Sequence, residues 1–143
     1  FYLAECYEKT GQPKKAKKIY NWILCLEIDY FSNMHLPELP YYKAEVYKKC
    51  GNFLAGRALI DKYQKKWKEN INVTDPGYFT STPFFISYCD NPSNARKAYY
   101  SYLLGFAYKF MEQPEKSCSM FKIAAEYDKI NIFYYFEAKN NLL

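Results

Sequence analysis

The chain is 143 residues long, half hydrophobic and one-fifth aromatic, enough apolar material for one domain with a core of its own. No run approaches the roughly 18 consecutive apolar residues that would cross a bilayer, so no membrane span is expected. The net charge of +5 is unevenly placed: residues 1–70 carry 13 Lys and Arg against 8 Asp and Glu, whereas residues 71–143 carry seven of each, so any basic surface belongs to the first half.

Helical signals alternate with short breaks along the chain. A first helix over about 1–10 stops at Gly11, a natural left-handed terminator. Pro13 opens a second over about 13–28, where its missing N–H costs nothing, with Ile19, Tyr20, Ile23 and Leu24 on one face. A linker through Asp29–Leu36 leads to Pro37 and Pro40, which begin a third helix carrying Tyr41, Ala44 and Tyr47 and ending at Gly51. A fourth runs over about 52–68 with Leu54, Ala58, Leu59 and Tyr63 inside. Residues 69–92 break the rhythm. Ser93 or Asn94 then caps a helix over about 94–111, Pro114 opens another to Tyr127, and 130–142 reads as a closing helix whose polar Glu137, Lys139, Asn140 and Asn141 suit an end exposed to water.

Three of these stretches repeat one pattern. Leu3-Ala4-x-x-Tyr7 is followed by Gly11, Ala16, Tyr20 and Ile23; Ala44-x-x-Tyr47 by Gly51, Gly56, Ile60 and Tyr63; Leu104-Gly105-x-x-Tyr108 by Glu112, Ser117, Phe121 and Ala124. Counted from the shared tyrosine, the offsets agree in all three. Antiparallel helices approach closely only where small side chains meet, and Ala4, Ala44 and Gly105 with Ala16, Gly56 and Ser117 supply those meetings. The pattern resembles the tetratricopeptide repeat, with Leu-Gly-x-x-Tyr on the first helix of a pair and Ala-x-x-x-Phe-x-x-Ala on the second. The resemblance implies an all-α, right-handed superhelix of about three helix pairs (1–30, 37–68 and 94–128), an irregular aromatic-rich insert at 69–92 and a closing helix at 130–142. In that register Phe1 falls part-way down a helix, so the chain is expected to be a piece of a longer protein.

The insert supports a narrower resemblance. Tyr7 and Tyr47 lie 40 residues apart but Tyr47 and Tyr108 lie 61 apart, and the excess falls in Asp75-Pro76-Gly77, a turn signal, and Tyr78-Phe79-x-Ser81-x-Pro83-x-Phe85. With Asp90 and Leu104-Gly105, these residues resemble the C-terminal repeat tail of a family of large, uncharacterised bacterial proteins that carry a domain of unknown function ahead of the tail. The match covers roughly 37–128 and implies a β-rich, sugar-related partner domain upstream. An exposed aromatic loop is unfavourable, so Tyr78, Phe79, Phe84 and Phe85 are expected to bury against the second and third pairs.

Motifs for chemistry are sparse. His35 is the only histidine, in a linker and without metal-ligand spacing to a second His or a Cys. No Gly-x-Ser-x-Gly, phosphate-cradling Gly-rich loop or His-Glu-x-x-His occurs, so no catalytic centre, cofactor or metal is expected. The five cysteines, at 6, 25, 50, 89 and 118, form no Cys-x-x-Cys unit; buried reduced thiols and a cytoplasmic location follow. Asn72-Val73-Thr74 fits the glycosylation triplet but is read as chance.

Function is expected on the inner face, which the repeat register assigns to the first helix of each pair: Glu5 and Lys9; Tyr41, Glu45, Lys48 and Lys49; Tyr102, Phe106, Lys109 and Phe110. Such a mixture holds a peptide through aromatic contacts and a few charge pairs. Phe1, Tyr41 and Tyr102 stand where a terminal-carboxylate clamp would place polar donors, which argues against chaperone-tail binding. The expectation is a non-catalytic scaffold for a protein, a peptide or the chain's own upstream domain. Two alternatives stand beside it: an accessory to a sugar-acting domain, and a nucleic-acid-binding repeat acting through the lysines of the first half, Lys14, Lys15, Lys17 and Lys18 or Lys62, Lys65, Lys66 and Lys68.

Overall fold

The structure, a computed structural model, describes residues 1–29, 36–73, 92–127 and 141. Among these it contains six helices and no strand: α1 (Tyr2–Lys9), α2 (Pro13–Cys25), α3 (Leu39–Lys49), α4 (Phe53–Ile71), α5 (Pro92–Phe110) and α6 (Pro114–Tyr127). The all-α expectation holds. His35, Cys89, the insert aromatics Tyr78, Phe79, Phe84 and Phe85, and the closing helix expected at 130–142 lie outside the described residues, apart from Asn141. The chain divides into two compact units, Phe1–Asp61 and Lys62–Leu143, and the division falls inside α4.

The three turns within the pairs follow one backbone route. After α1, the Gly11 N–H donates to the Glu8 carbonyl at 3.1 Å and the Gln12 N–H to the Tyr7 carbonyl at 2.8 Å. After α3, Gly51 and Asn52 donate to Lys48 and Tyr47 at 3.1 and 2.8 Å; after α5, Glu112 and Gln113 donate to Lys109 and Tyr108 at 3.1 and 3.0 Å. Both bonds of the Schellman closure are present each time, and the tyrosine that aligns the three stretches contributes the accepting carbonyl each time. The closure needs one residue in the left-handed region. Gly11 (φ 73°) and Gly51 (φ 79°) take it without strain, while Glu112 (φ 56°) takes it with a Cβ. The next residue starts the second helix: Asn52 Oδ1 accepts the Ala55 N–H at 3.2 Å as an N-cap, and Pro13 takes the first turn of α2.

The offsets correspond to burial. Ala16, Tyr20 and Ile23, then Gly56, Ile60 and Tyr63, then Ser117, Phe121 and Ala124 are all buried. In the first unit, Ala4, Ala16, Tyr20, Ile23 and Val46 form a core cluster that draws in Phe1, Tyr7, Ile19 and Leu24; α1 packs on α2 and α2 on α3. The α2 helix ends at Cys25, earlier than expected, because Leu26 turns to extended backbone (ψ 133°). The Lys43 ammonium donates to the Leu26 carbonyl, placing a cation where the helix dipole favours one. In the second unit α5 packs on α6. The rings of Tyr102, Phe106 and Phe121 meet edge-to-face at 5.0–6.2 Å, and the Ser117 hydroxyl donates to the Gly105 carbonyl at 2.9 Å in the buried seam.

Several expectations need correction. Leu54 is 80% exposed and Ala58 is exposed; the buried stripe of α4 is Gly56, Ile60, Tyr63 and Trp67, with steps of four, three and four. Leu54 stands about 200° around the helix from Gly56 and therefore faces away. The α5 helix starts at Pro92, ahead of both proposed caps, since proline is at home in a first turn. Cys6, Cys25 and Cys50 are free thiols but exposed, with Cys118 half-buried. Cys6 and Cys25 each stand about 200° around their helices from Ala4 and Ile23, which face the core.

Candidate functional site

The residues expected on the inner face divide sharply between the two units. In the first unit, Glu5 and Glu8 stand three residues apart on α1 and so share a face. Lys49, the last residue of α3, reaches both: its ammonium donates to Glu8 Oε2 at 3.0 Å and lies 3.5 Å from Glu5 Oε1. The same ammonium sits 6.0 Å from the Phe1 ring centroid and 5.8 Å from that of Tyr20, within cation–π range. The first helices of two successive pairs are thus bridged by one side chain.

The charges of this cluster bias one another. Burial pulls the Lys49 pKa down, but the Glu8 hydrogen bond and the fields of Tyr20, Glu8 and Glu5 together outweigh it, so the ammonium is held more firmly protonated than usual. Lys49 therefore stands as a cation between the two carboxylates. The Lys49 hydrogen bond, followed by the Tyr20 hydroxyl, lowers the Glu8 pKa. Tyr20 is 4% exposed and its hydroxyl makes no hydrogen bond of acceptable geometry. Burial, then the Glu8 carboxylate, pushes its pKa up to about 12.

A row of rings borders this bridge. Tyr42 lies 5.4 Å from Phe1, 5.4 Å from Tyr41 and edge-on to Tyr2 at 5.9 Å. Tyr2 is 61% exposed, whereas Tyr41 is buried. Burial, followed by the charges of Glu45 and Tyr2, raises the Tyr41 pKa. Glu45, one turn along α3, is half-buried; burial raises its pKa, and Lys48, Tyr41 and Lys49 offset that only in part.

Of the expected residues, Glu5, Tyr41, Glu45 and Lys49 are therefore brought together. Lys48 is exposed and lies 6.0 Å from the Phe53 ring centroid; Lys9 is exposed in the last turn of α1. In the second unit the expectation needs correction: Tyr102, Phe106 and Phe110 are at most 2% exposed, so they fill core and are not open to a partner. Lys109 remains exposed and donates to Asn141 Oδ1 at 2.6 Å. Glu8, Tyr2, Tyr42 and the Tyr20 hydroxyl were not anticipated. The signal for two of them was present, since Tyr2 and Glu8 flank Glu5 at minus and plus three and must share its face.

Among the described residues, no group of three His, Cys, Asp or Glu side chains is placed to hold a metal ion, and no helix is long and apolar enough to cross a membrane. The α1–α3 face offers ring faces and edges, a buried hydroxyl and two carboxylates whose affinities for a proton are shifted in opposite directions, Glu8 down and Glu45 up. Comparison with family models, curated proteins and solved structures finds no match to this chain.

Proposed function

We propose that this chain is a non-catalytic interaction module of the tetratricopeptide class, a right-handed stack of helix pairs that takes a peptide or protein segment along the α1–α3 face. Support for the repeat reading comes from the three matching turns, each closed on the shared tyrosine carbonyl, and from burial of the three matched positions on the second helix of each pair. The observation that carries the binding face is the Lys49 bridge to Glu5 and Glu8. It sets α1 and α3 under a row of rings whose outermost member, Tyr2, is 61% exposed. Ring faces supply contact area at low entropic cost, and Glu45 supplies a carboxylate for a donor on the segment.

Selection of a random displayed peptide library on the immobilised protein tests this. Enriched peptides should bind the Tyr2→Ala, Glu45→Gln double variant at least about tenfold more weakly, because each lost contact of this kind removes on the order of 1 kcal/mol or more. Peptides that bind wild type and variant equally would place the site elsewhere. A selection with no enrichment would end the peptide-binding reading.

A further inference from the structure

The opposite side of the first unit has a different character. The α2 helix buries Ala16, Tyr20 and Ile23. At 100° per residue, Lys14, Lys18 and Trp22 fall on the far side as one slanting stripe, in steps of about 6 Å along the axis. All three are exposed, and Trp22, at 63%, carries one of the largest apolar side chains in the protein into solvent. The helix contains no Asp or Glu. Lys14, Lys17 and Lys18 make no ion pair among the described residues, while Lys15 is engaged 5.2 Å from the Tyr7 ring centroid. Four lysines in the first six residues of α2 also oppose the helix dipole, a cost that a bound anion would relieve.

We propose that this outer face binds single-stranded nucleic acid, with a base stacked on the Trp22 indole and neighbouring phosphates held by Lys14 and Lys18. Stacking on a lone exposed ring flanked by cations is how strands are held without regard to sequence. An anionic lipid surface fits less well. Insertion needs a continuous apolar face, and the apolar face of α2 is spent in the core; the residues beside Trp22 on the outer face are Asn21 and Cys25. A duplex fits less well too, because its bases are already stacked.

Tryptophan fluorescence reads this directly. The chain has two tryptophans, of which Trp67 is 4% exposed, so quenching of solvent-exposed emission reports on Trp22. Titration with a mixed-sequence 12-nucleotide RNA at low salt should quench that emission. Trp22→Ala should weaken binding about 5- to 100-fold, read by the fluorescence anisotropy of the same RNA carrying a fluorescein label, with Trp22→Phe recovering part of the loss. The Lys14→Ala, Lys18→Ala pair should lower the slope of log affinity against log salt by about 1.4, roughly 0.7 for each phosphate contact removed. Circular dichroism of each variant should be unchanged, since all three side chains point away from the core. The proposal is overturned by RNA binding without quenching, by affinity unchanged in Trp22→Ala, by a preference for the matching duplex, or by binding to phosphatidylserine vesicles and not to RNA.

Discussion

The α1–α2 and α5–α6 pairs turn by the same backbone route and close by different means. In the first, alanines meet at the crossing, Ala4 and Ala16, and the register position beyond them holds Tyr20, whose hydroxyl ends among Glu8 and Lys49. In the second, the crossing is Gly105 against Ser117, and the position of Tyr20 is taken by Phe121, which lies among other rings. A Cβ built on Gly105 would stand 2.6–2.8 Å from three atoms of the Phe121 ring. The repeat register thus dictates where a small residue must stand, but the filling of each pair is local. One pair spends its aromatic payload on core, and the other leaves part of it at a charged surface.

The largest test of that contrast is Phe121→Ala. It removes a fully buried ring from a cluster of rings and should cost about 3–5 kcal/mol, read as a lower denaturant midpoint for loss of helix. A cost below about 1 kcal/mol would mean that α5 and α6 are not held by this cluster. The crossing itself comes next. Gly105→Ala should cost about 1–3 kcal/mol through overpacking, since the ring it meets is fixed among neighbours. The register-equivalent Ala4→Gly should cost about 1–2 kcal/mol, from backbone entropy together with the loss of a buried methyl. A Gly105→Ala variant as stable as the wild type would show that this crossing has room for a Cβ.

The turns offer a change of opposite sign. Glu112 holds the left-handed position that glycine holds at 11 and 51. Glu112→Gly should therefore raise stability by roughly 0.5–1 kcal/mol, as the strain of a Cβ at φ 56° is relieved. Gly11→Ala should lower it by about 1 kcal/mol, although a Cβ there meets nothing within 4 Å, because the penalty is conformational rather than steric. Thermal midpoints of the two variants measured side by side decide this. A destabilised Glu112→Gly would show that the interactions of the Glu112 side chain outweigh the strain.

The helices and their inward faces were largely legible because they rest on local rules: Gly11 and Gly51 as terminators, Pro13 and Pro114 as starters, and small residues at fixed offsets. The candidate site was legible only in part. The tyrosine-anchored register put Glu5, Tyr41, Glu45 and Lys49 on one face, and the structure brings them together because their placement on each helix depends on helical phase. It misplaced Tyr102, Phe106 and Phe110, because an exposed ring and a buried ring at one helical phase look alike until the neighbours are known. Leu54 shows the converse: hydrophobicity suggested an inward residue, and the helical phase set by Ile60 and Tyr63 turned it to solvent. The Lys49 bridge joins residues 41 positions apart, and no local rule reports such a distance.

The smallest effect concerns the Tyr20 hydroxyl, the point where core and charge meet in the first pair. Its pKa of about 12 lies above the ordinary value near 10. Between those values the unfolded chain has lost a proton that the folded chain retains, so stability falls as pH rises through that window. Lys49, also raised, acts in the same direction. Below about pH 10 neither contribution is lost. In Tyr20→Phe the alkaline loss should shrink and one late-titrating tyrosinate should vanish from the ultraviolet absorbance. Stability at pH 7 should change by less than about 1 kcal/mol, because an unpartnered buried hydroxyl contributes little and costs something to bury. A loss well above that at neutral pH would show that the hydroxyl does bond Glu8 in solution. The first pair would then be tied together by a buried polar contact, as the last pair is by Ser117 and Gly105.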